Sequence, residues 1–252
     1  LRRSLELRPQ QPGVRDLIAV LDPQDEDDLL RRYDVDLEEI VAANQQAPAR
    51  WDGKEAAVLY RGHATRVLDN GLSEGIDHRI IKVLDDRGVR SQGVQVTTYD
   101  PSESYIEVRR ARVRRADGRI EELGETRIAS LVEAGYRMFY DKRQVQVYFP
   151  SLRVGDVVEV VFARRAVARR NICDDYFGDI TVLGSGEPVE RLSYALEAPA
   201  DRKLYFNVPM LRMLSDDGVR ATYRLEREAE AGIKSEASMP GWSEMLDYVH
   251  VS

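Results

Sequence analysis

Apolar residues in the first 48 positions recur with a helical period. Leu1 and Leu5 lie four apart, and Pro9 closes that segment. Pro12 opens the next, where proline fits a first turn, and Val14, Leu17, Ile18 and Leu21 mark one face. Asp22-Pro23 ends it. Asp25 to Arg32 predicts a short third helix with Leu29 and Leu30 inward. Asp36 with Glu39 three residues on has the pattern of a capping box. It opens a fourth helix with Leu37, Ile40 and Val41 inward, which stops before Pro48.

Near residue 54 the period changes to two. Val58 to Leu68 predicts a strand closed by Asp69-Asn70-Gly71, where Asn and Gly tolerate positive φ. Ile76 to Leu84 follows, closed by Asp85-Asp86-Arg87-Gly88. Glu103 to Arg115 is a long strand closed by Ala116-Asp117-Gly118-Arg119. Val145 to Phe149 is short, and Val157 to Val167 is long. Leu192, Tyr194 and Leu196 alternate with Arg191, Ser193 and Glu197. Val219, Ala221, Tyr223 and Leu225 alternate with arginines, Thr222 and Glu226 after the corner Asp216-Asp217-Gly218.

Strands joined by turns, with no helical pattern between them, predict antiparallel sheets with one buried and one wet face. So many strands need two packed layers or closure. The expected class is mainly β: a large antiparallel β-sandwich with a short α-helical N-terminal segment, a closed barrel being the alternative. The expected divisions are 1–48 helical, 55–236 the β-sandwich, and 237–252 a linker. Met239-Pro240-Gly241-Trp242 breaks both periods, and Trp242 is expected to make an interdomain contact. The first residue is Leu, and His250-Val251-Ser252 reads as an unfinished extended segment. The chain is therefore expected to be a piece of a longer protein, with any leader outside it.

The chain has 252 residues, 43% apolar and 32% charged, which is the composition of a folded protein. One cysteine excludes a disulfide framework, and three histidines leave little for a histidine metal cluster. No apolar run approaches the roughly 20 residues that span a bilayer. A net charge of −7 argues against a nucleic-acid partner.

A cysteine nucleophile would be Cys173 with His250 and Asp174 or Asp175. The adjacent carboxylates oppose the thiolate that such chemistry needs, so a free thiol is expected instead. Asp85, Asp86, Asp100, Glu103 and Glu107 could supply a carboxylate pair, but turn chemistry explains most of them. Asp174, Asp175 and Asp179 could bind calcium, with a solvated loop as the plainer reading. The arginines at 109, 110, 112, 114, 115, 164, 165, 169 and 170 lie on or beside strand patterns and read as a solvated face. Tyr136, Phe139, Tyr140, Tyr148 and Phe149 could form a binding platform, though core packing is the expected use.

Two stretches resemble known families. Leu5-Glu-Leu-Arg-Pro9-Gln-Gln-Pro12 is similar to the end of a tetratricopeptide repeat. The second set runs from His78–Gly88 through Tyr105–Arg119 and Phe149–Val160 to the strand between Pro188 and Pro199. In that order it resembles a bacterial domain of unknown function that sits N-terminal to transglutaminase-like domains, and the likeness covers about residues 55 to 245. The resemblance implies a non-catalytic β-sandwich accessory domain without a cofactor. It places papain-type catalysis in a domain after Ser252, which would be the partner in the same chain. It also favours an extracytoplasmic setting. A carbohydrate- or peptide-binding module is the alternative, and a free-standing hydrolase the third.

Overall fold

The computed structural model describes residues 29–122, 126–130, 142–166, 176–208, 211–216, 218–233 and 245–252. Two short helices come first, α1 (Leu29–Tyr33) and α2 (Leu37–Ala43). Asp36 caps α2 by accepting the Glu39 N–H at 2.9 Å, so the chain turns where the capping pattern lies. A single 3₁₀ turn (Ala49–Trp51) leads into the sheets.

Eight strands form the main sheet. They are β1 (Ala56–Val67), β2 (Ser73–Val83), β4 (Ser104–Arg114), β5 (Ile120–Glu122), β8 (Val157–Ala166), β10 (Val189–Pro199), β11 (Arg212–Asp216) and β12 (Arg220–Glu230). Their spatial order is β11-β12-β10-β1-β2-β8-β4-β5, an open sheet and not a barrel. Three more strands, β3 (Val94–Tyr99), β6 (Thr126–Ser130) and β7 (Arg143–Tyr148), make a sheet ordered β3-β7-β6. A third sheet pairs β9 (Asp179–Val182) with β13 (Tyr248–Val251).

The mainly β class with antiparallel sheets is therefore present. Only one of the described pairings departs, β1 beside β10, which run parallel. Parallel neighbours need a long return, and here the chain between them builds β2 to β9.

The second layer is split. The β9–β13 sheet packs Val249 and Val251 against Leu192, Tyr194, Leu196 and Leu225 of the main sheet. The β3-β7-β6 sheet packs Val145 and Val147 against Val113, Val158, Val160 and Phe162. The opposite face of the main sheet is not wet, as strict alternation predicts. Leu37, Ile40 and Trp51 cover Leu59, Tyr60 and Ile80, while Leu29 and Tyr33 cover Ala64, Ile76 and Val161. Central strands are thus buried on both sides, which is why β1, β8 and β10 carry long apolar runs.

Two expectations are corrected. Asp85-Asp86-Arg87-Gly88 is not a simple turn but the start of α3 (Asp86–Ser91), because Asp85 accepts the N–H groups of Arg87 and Gly88. Gly88 is required there: a Cβ would stand 2.0 Å from the Glu55 carbonyl oxygen. The end of the expected linker is strand β13, because Val249 and Val251 alternate into the core. Trp242 lies outside the described residues, as do the tetratricopeptide-like stretch and Cys173.

Candidate functional site

Charged residues gather on both faces of the main sheet. On the helix-covered face, Glu159 of β8 is fully buried. Its carboxylate accepts from His78 Nε2 at 2.9 Å, from Arg110 Nη1 at 3.0 Å and from Arg112 Nε. Arg110 also donates twice to Asp34, at 2.8 Å each, so one guanidinium ties the sheet to the segment behind α1. Burial pushes the Glu159 carboxyl up, but the bonds from His78 and Arg112 outweigh it and hold its pKa at about 2.

A second buried carboxylate does the same for α1 itself. Glu197 of β10 accepts from Tyr33 Oη and Arg32, both at 2.7 Å, and from buried Arg66 at 2.9 Å. Burial raises its carboxyl, and the Tyr33 and Arg66 bonds bring it below the usual carboxylate value. A third, Glu190, accepts from Trp51 Nε1 at 2.6 Å and from Arg50. Each strand carboxylate grips one piece of the helical segment.

Asp34, His78 and Glu159 bring one ligand atom each within 4.8 Å of the others, which is the spacing of a metal site. The Arg110 guanidinium, however, bonds both carboxylates, so the cationic place is already filled. His78 Nδ1, buried and without a hydrogen-bond partner, stands 3.8 Å from Asp34. The cluster fits a structural clasp and not a metal.

On the other face lies the strip between the two small sheets. Asp77 of β2 is gripped by Arg79, and His63 of β1 lies 4.0 Å from it. Burial raises the Asp77 carboxyl, yet His63 and Arg79 bring it down to about 2. Arg61 donates to His63 Nε2 at 3.3 Å and to the Gly184 carbonyl at 2.9 Å. Arg164 donates to the Thr98 carbonyl at 2.7 Å.

The candidates read from the sequence do not gather into one site among the described residues. Cys173, Asp174 and Asp175 are outside the described residues. His250 is exposed on β13, where its backbone N–H donates to Asn207. Asp85 caps α3, Asp100 accepts the Ser102 N–H, and Glu107 pairs with Arg109. Asp179 accepts from Thr181 Oγ1. Of the aromatic group, Tyr136, Phe139 and Tyr140 are outside the described residues, Phe149 is core, and Arg127 stacks on the Tyr148 ring. The arginines are the main correction: Arg110, Arg112 and Arg115 are engaged ion-pair partners of buried Glu159 and Asp156, not merely a solvated face. Sequence reasoning missed Glu159, Glu197 and His78. The signal was there in Val157-Val158-Glu159-Val160-Val161, a charge inside an apolar run.

Neither His63 nor His78 is hydrogen-bonded to a hydroxyl or thiol among the described residues. An open cleft of about 470 Å³ between Asp69, Pro199, Lys203, Leu204 and Ser252 has no histidine or cysteine in its lining. No helix among the described residues is long and apolar enough to cross a membrane.

These sheets define a β-rich domain whose main sheet is tied to its N-terminal helices by buried ion pairs. Residues 69–233 match the family described as a domain of unknown function with solved structure, DUF3857, and the chain belongs to it. No curated protein matches the sequence. Among solved structures, a Parabacteroides distasonis protein named as a candidate protease is similar, with TM-score 0.68 and 14% identity. The likeness covers 78% of this chain and 40% of that one, and it shows a shared fold. An M1 zinc metallopeptidase from Deinococcus radiodurans gives TM-score 0.38 at 11% identity, over 79% of this chain and 42% of that one. The chain thus spans about two-fifths of the length of these two structures.

Proposed function

We propose that this chain is a non-catalytic accessory module of a larger bacterial protein, joining a helical repeat segment to a downstream transglutaminase-like domain. The observation that supports it is the use made of the buried charges. Glu159, Glu190 and Glu197 hold α1, the segment behind it and Trp51 on the sheet, so the entering helices meet the β-domain at a fixed angle. A fixed angle serves a spacer between two working parts.

The test is kinetic. The purified 252-residue chain is incubated with fluorogenic peptides and with a glutamine–amine transglutaminase pair. No turnover above the buffer blank is expected. Turnover that persists through purification and disappears in a point variant of any buried side chain named above refutes the accessory reading.

A further inference from the structure

We propose that the open cleft beside the turn between β1 and β2 is a binding site for a neutral oligosaccharide, held through its hydroxyl groups and the face of one pyranose ring. The proposal does not depend on the accessory reading.

The backbone fixes the walls. Gly71 N donates to Leu68 O at 2.9 Å and Arg202 N to Pro199 O at 3.0 Å, so a tight turn closes on each side. The Arg202 guanidinium reaches the Asp69 carbonyl at 3.0 Å and joins the two turns. Further on, Tyr205 and Ser252 exchange both main-chain bonds, at 2.8 and 3.1 Å, and Asn207 N donates to the His250 carbonyl. Residues 205–207 thus run antiparallel beside β13. Leu204 and Phe206 pack against the core that holds Phe177. Alternation then sends Lys203 and Tyr205 to the solvent side, where both are exposed. The base of the cleft is therefore core, and its rim is polar.

The cleft holds about 470 Å³. That lies inside the roughly 300–1,000 Å³ of ordinary small-ligand sites. Its lining decides the ligand. Asp69 and Asp201 are matched by Arg202 and Lys203, so the charges cancel and neither an anion nor a cation is selected. Asp201, Arg202 and Lys203 are consecutive, so a zwitterion finds no separated poles. What the set offers is acceptors beside donors, since carboxylates only accept and ammonium and guanidinium groups only donate. A hydroxyl does both, so neighbouring hydroxyls of a sugar use the whole set. The side chains of Asp69, Asp201 and Lys203 make no hydrogen bond or ion pair among the described residues, which leaves them available to a ligand.

Tyr176 supplies the remaining element. It lines the cleft and is 43% exposed. A tyrosine ring has an apolar body and a polar tip, which suits the C–H face of a pyranose with hydroxyls at its edge. An acyl chain is not favoured, because Phe177 is only 4% exposed and Leu204 is spent on the core.

The probes are cellotriose, maltotriose and triacetylchitotriose, each titrated into the intact nitrogen-15-labelled chain up to about 10 mM, which covers millimolar affinity. Binding of at least one is expected, with amide shifts at Asp69, Asp201, Lys203 and Leu204. Added salt is expected to leave the affinity unchanged, because the ligand carries no charge. Asp201→Ala and Lys203→Met alter exposed side chains, so circular dichroism is expected to stay unchanged. Each is expected to weaken binding by about fivefold, the loss of one hydrogen bond. Tyr176→Ala is expected to weaken it by about tenfold, and Tyr176→Phe to retain it, since the ring face carries the contact. If Tyr176→Ala unfolds, the Phe, Asp201 and Lys203 variants decide. No shift with any of the sugars, equal shifts with phosphate, glycine or blocked trialanine, shifts confined to residues elsewhere, or unchanged affinity in both the Asp201 and Lys203 variants would each overturn the proposal.

Discussion

Replacing Glu159 by Gln keeps the shape of a fully buried side chain and removes its charge. Arg110 retains Asp34, but Arg112 has no other ion-pair partner among the described residues, and His78 loses the acceptor at 2.9 Å. Two routes give the magnitude. Leaving a buried ion pair half-made costs about 3–5 kcal/mol, and the partial exposure of both arginines puts this case at the lower end. Independently, a carboxyl held at about 2 against a usual 4.5 corresponds to about 3 kcal/mol of differential stabilisation. The expected loss at pH 7 is therefore about 3 kcal/mol. The sign in pH follows from a depressed folded-state pKa. The stabilisation is fully present above pH 4.5 and is lost as pH falls toward 2, so the gap between parent and variant narrows in that window. Urea unfolding followed by far-ultraviolet circular dichroism at pH 7, 4 and 3 measures it. A gap below about 1 kcal/mol at pH 7, the value of an exposed pair, would refute the reasoning, as would a gap independent of pH.

Two further outcomes can be measured. Gly88→Ala drives a Cβ to 2.0 Å from the Glu55 carbonyl oxygen, which already accepts the N–H groups of Leu84 and Asp85, so a loss of about 2–3 kcal/mol is expected in thermal or urea unfolding. Burial pushes the His63 pKa below its usual 6.5 against the pull of Asp77, so the folded chain resists protonation there and stability falls as pH drops below 6.5. His63→Gln is expected to flatten that fall between pH 6.5 and 5, and an unchanged slope in the same unfolding series would show that His63 titrates normally.

Local rules made much of this molecule legible. Asp36 and Glu39 mark the start of α2, period-two alternation marks β2, β4 and β12, and longer apolar-rich runs mark β1, β8 and β10, since these signals depend only on neighbours along the chain. The short strands β3, β6, β9 and β11 were not visible that way. Each has four to six residues, too few for a period to stand out; β3 and β9 are held by partners far along the chain, whereas β11 pairs with the next strand, β12. The helix α3 was hidden because Asp85-Asp86-Arg87-Gly88 has turn composition, and the Asp85 cap decided between turn and helix. The clasp could be suspected only from a glutamate within Val157–Val161 or Ala195–Ala198, because a lone charge in an apolar run states a need and not its partner. The partners, Arg110 at 49 residues' distance from Glu159 and Tyr33 at 164 from Glu197, are chosen by the order of strands in the sheet. That order, the parallel pairing of β1 with β10 and the split of the second layer depend on contacts between distant segments. Alternation specifies which face of a strand is buried; only packing specifies what lies against it.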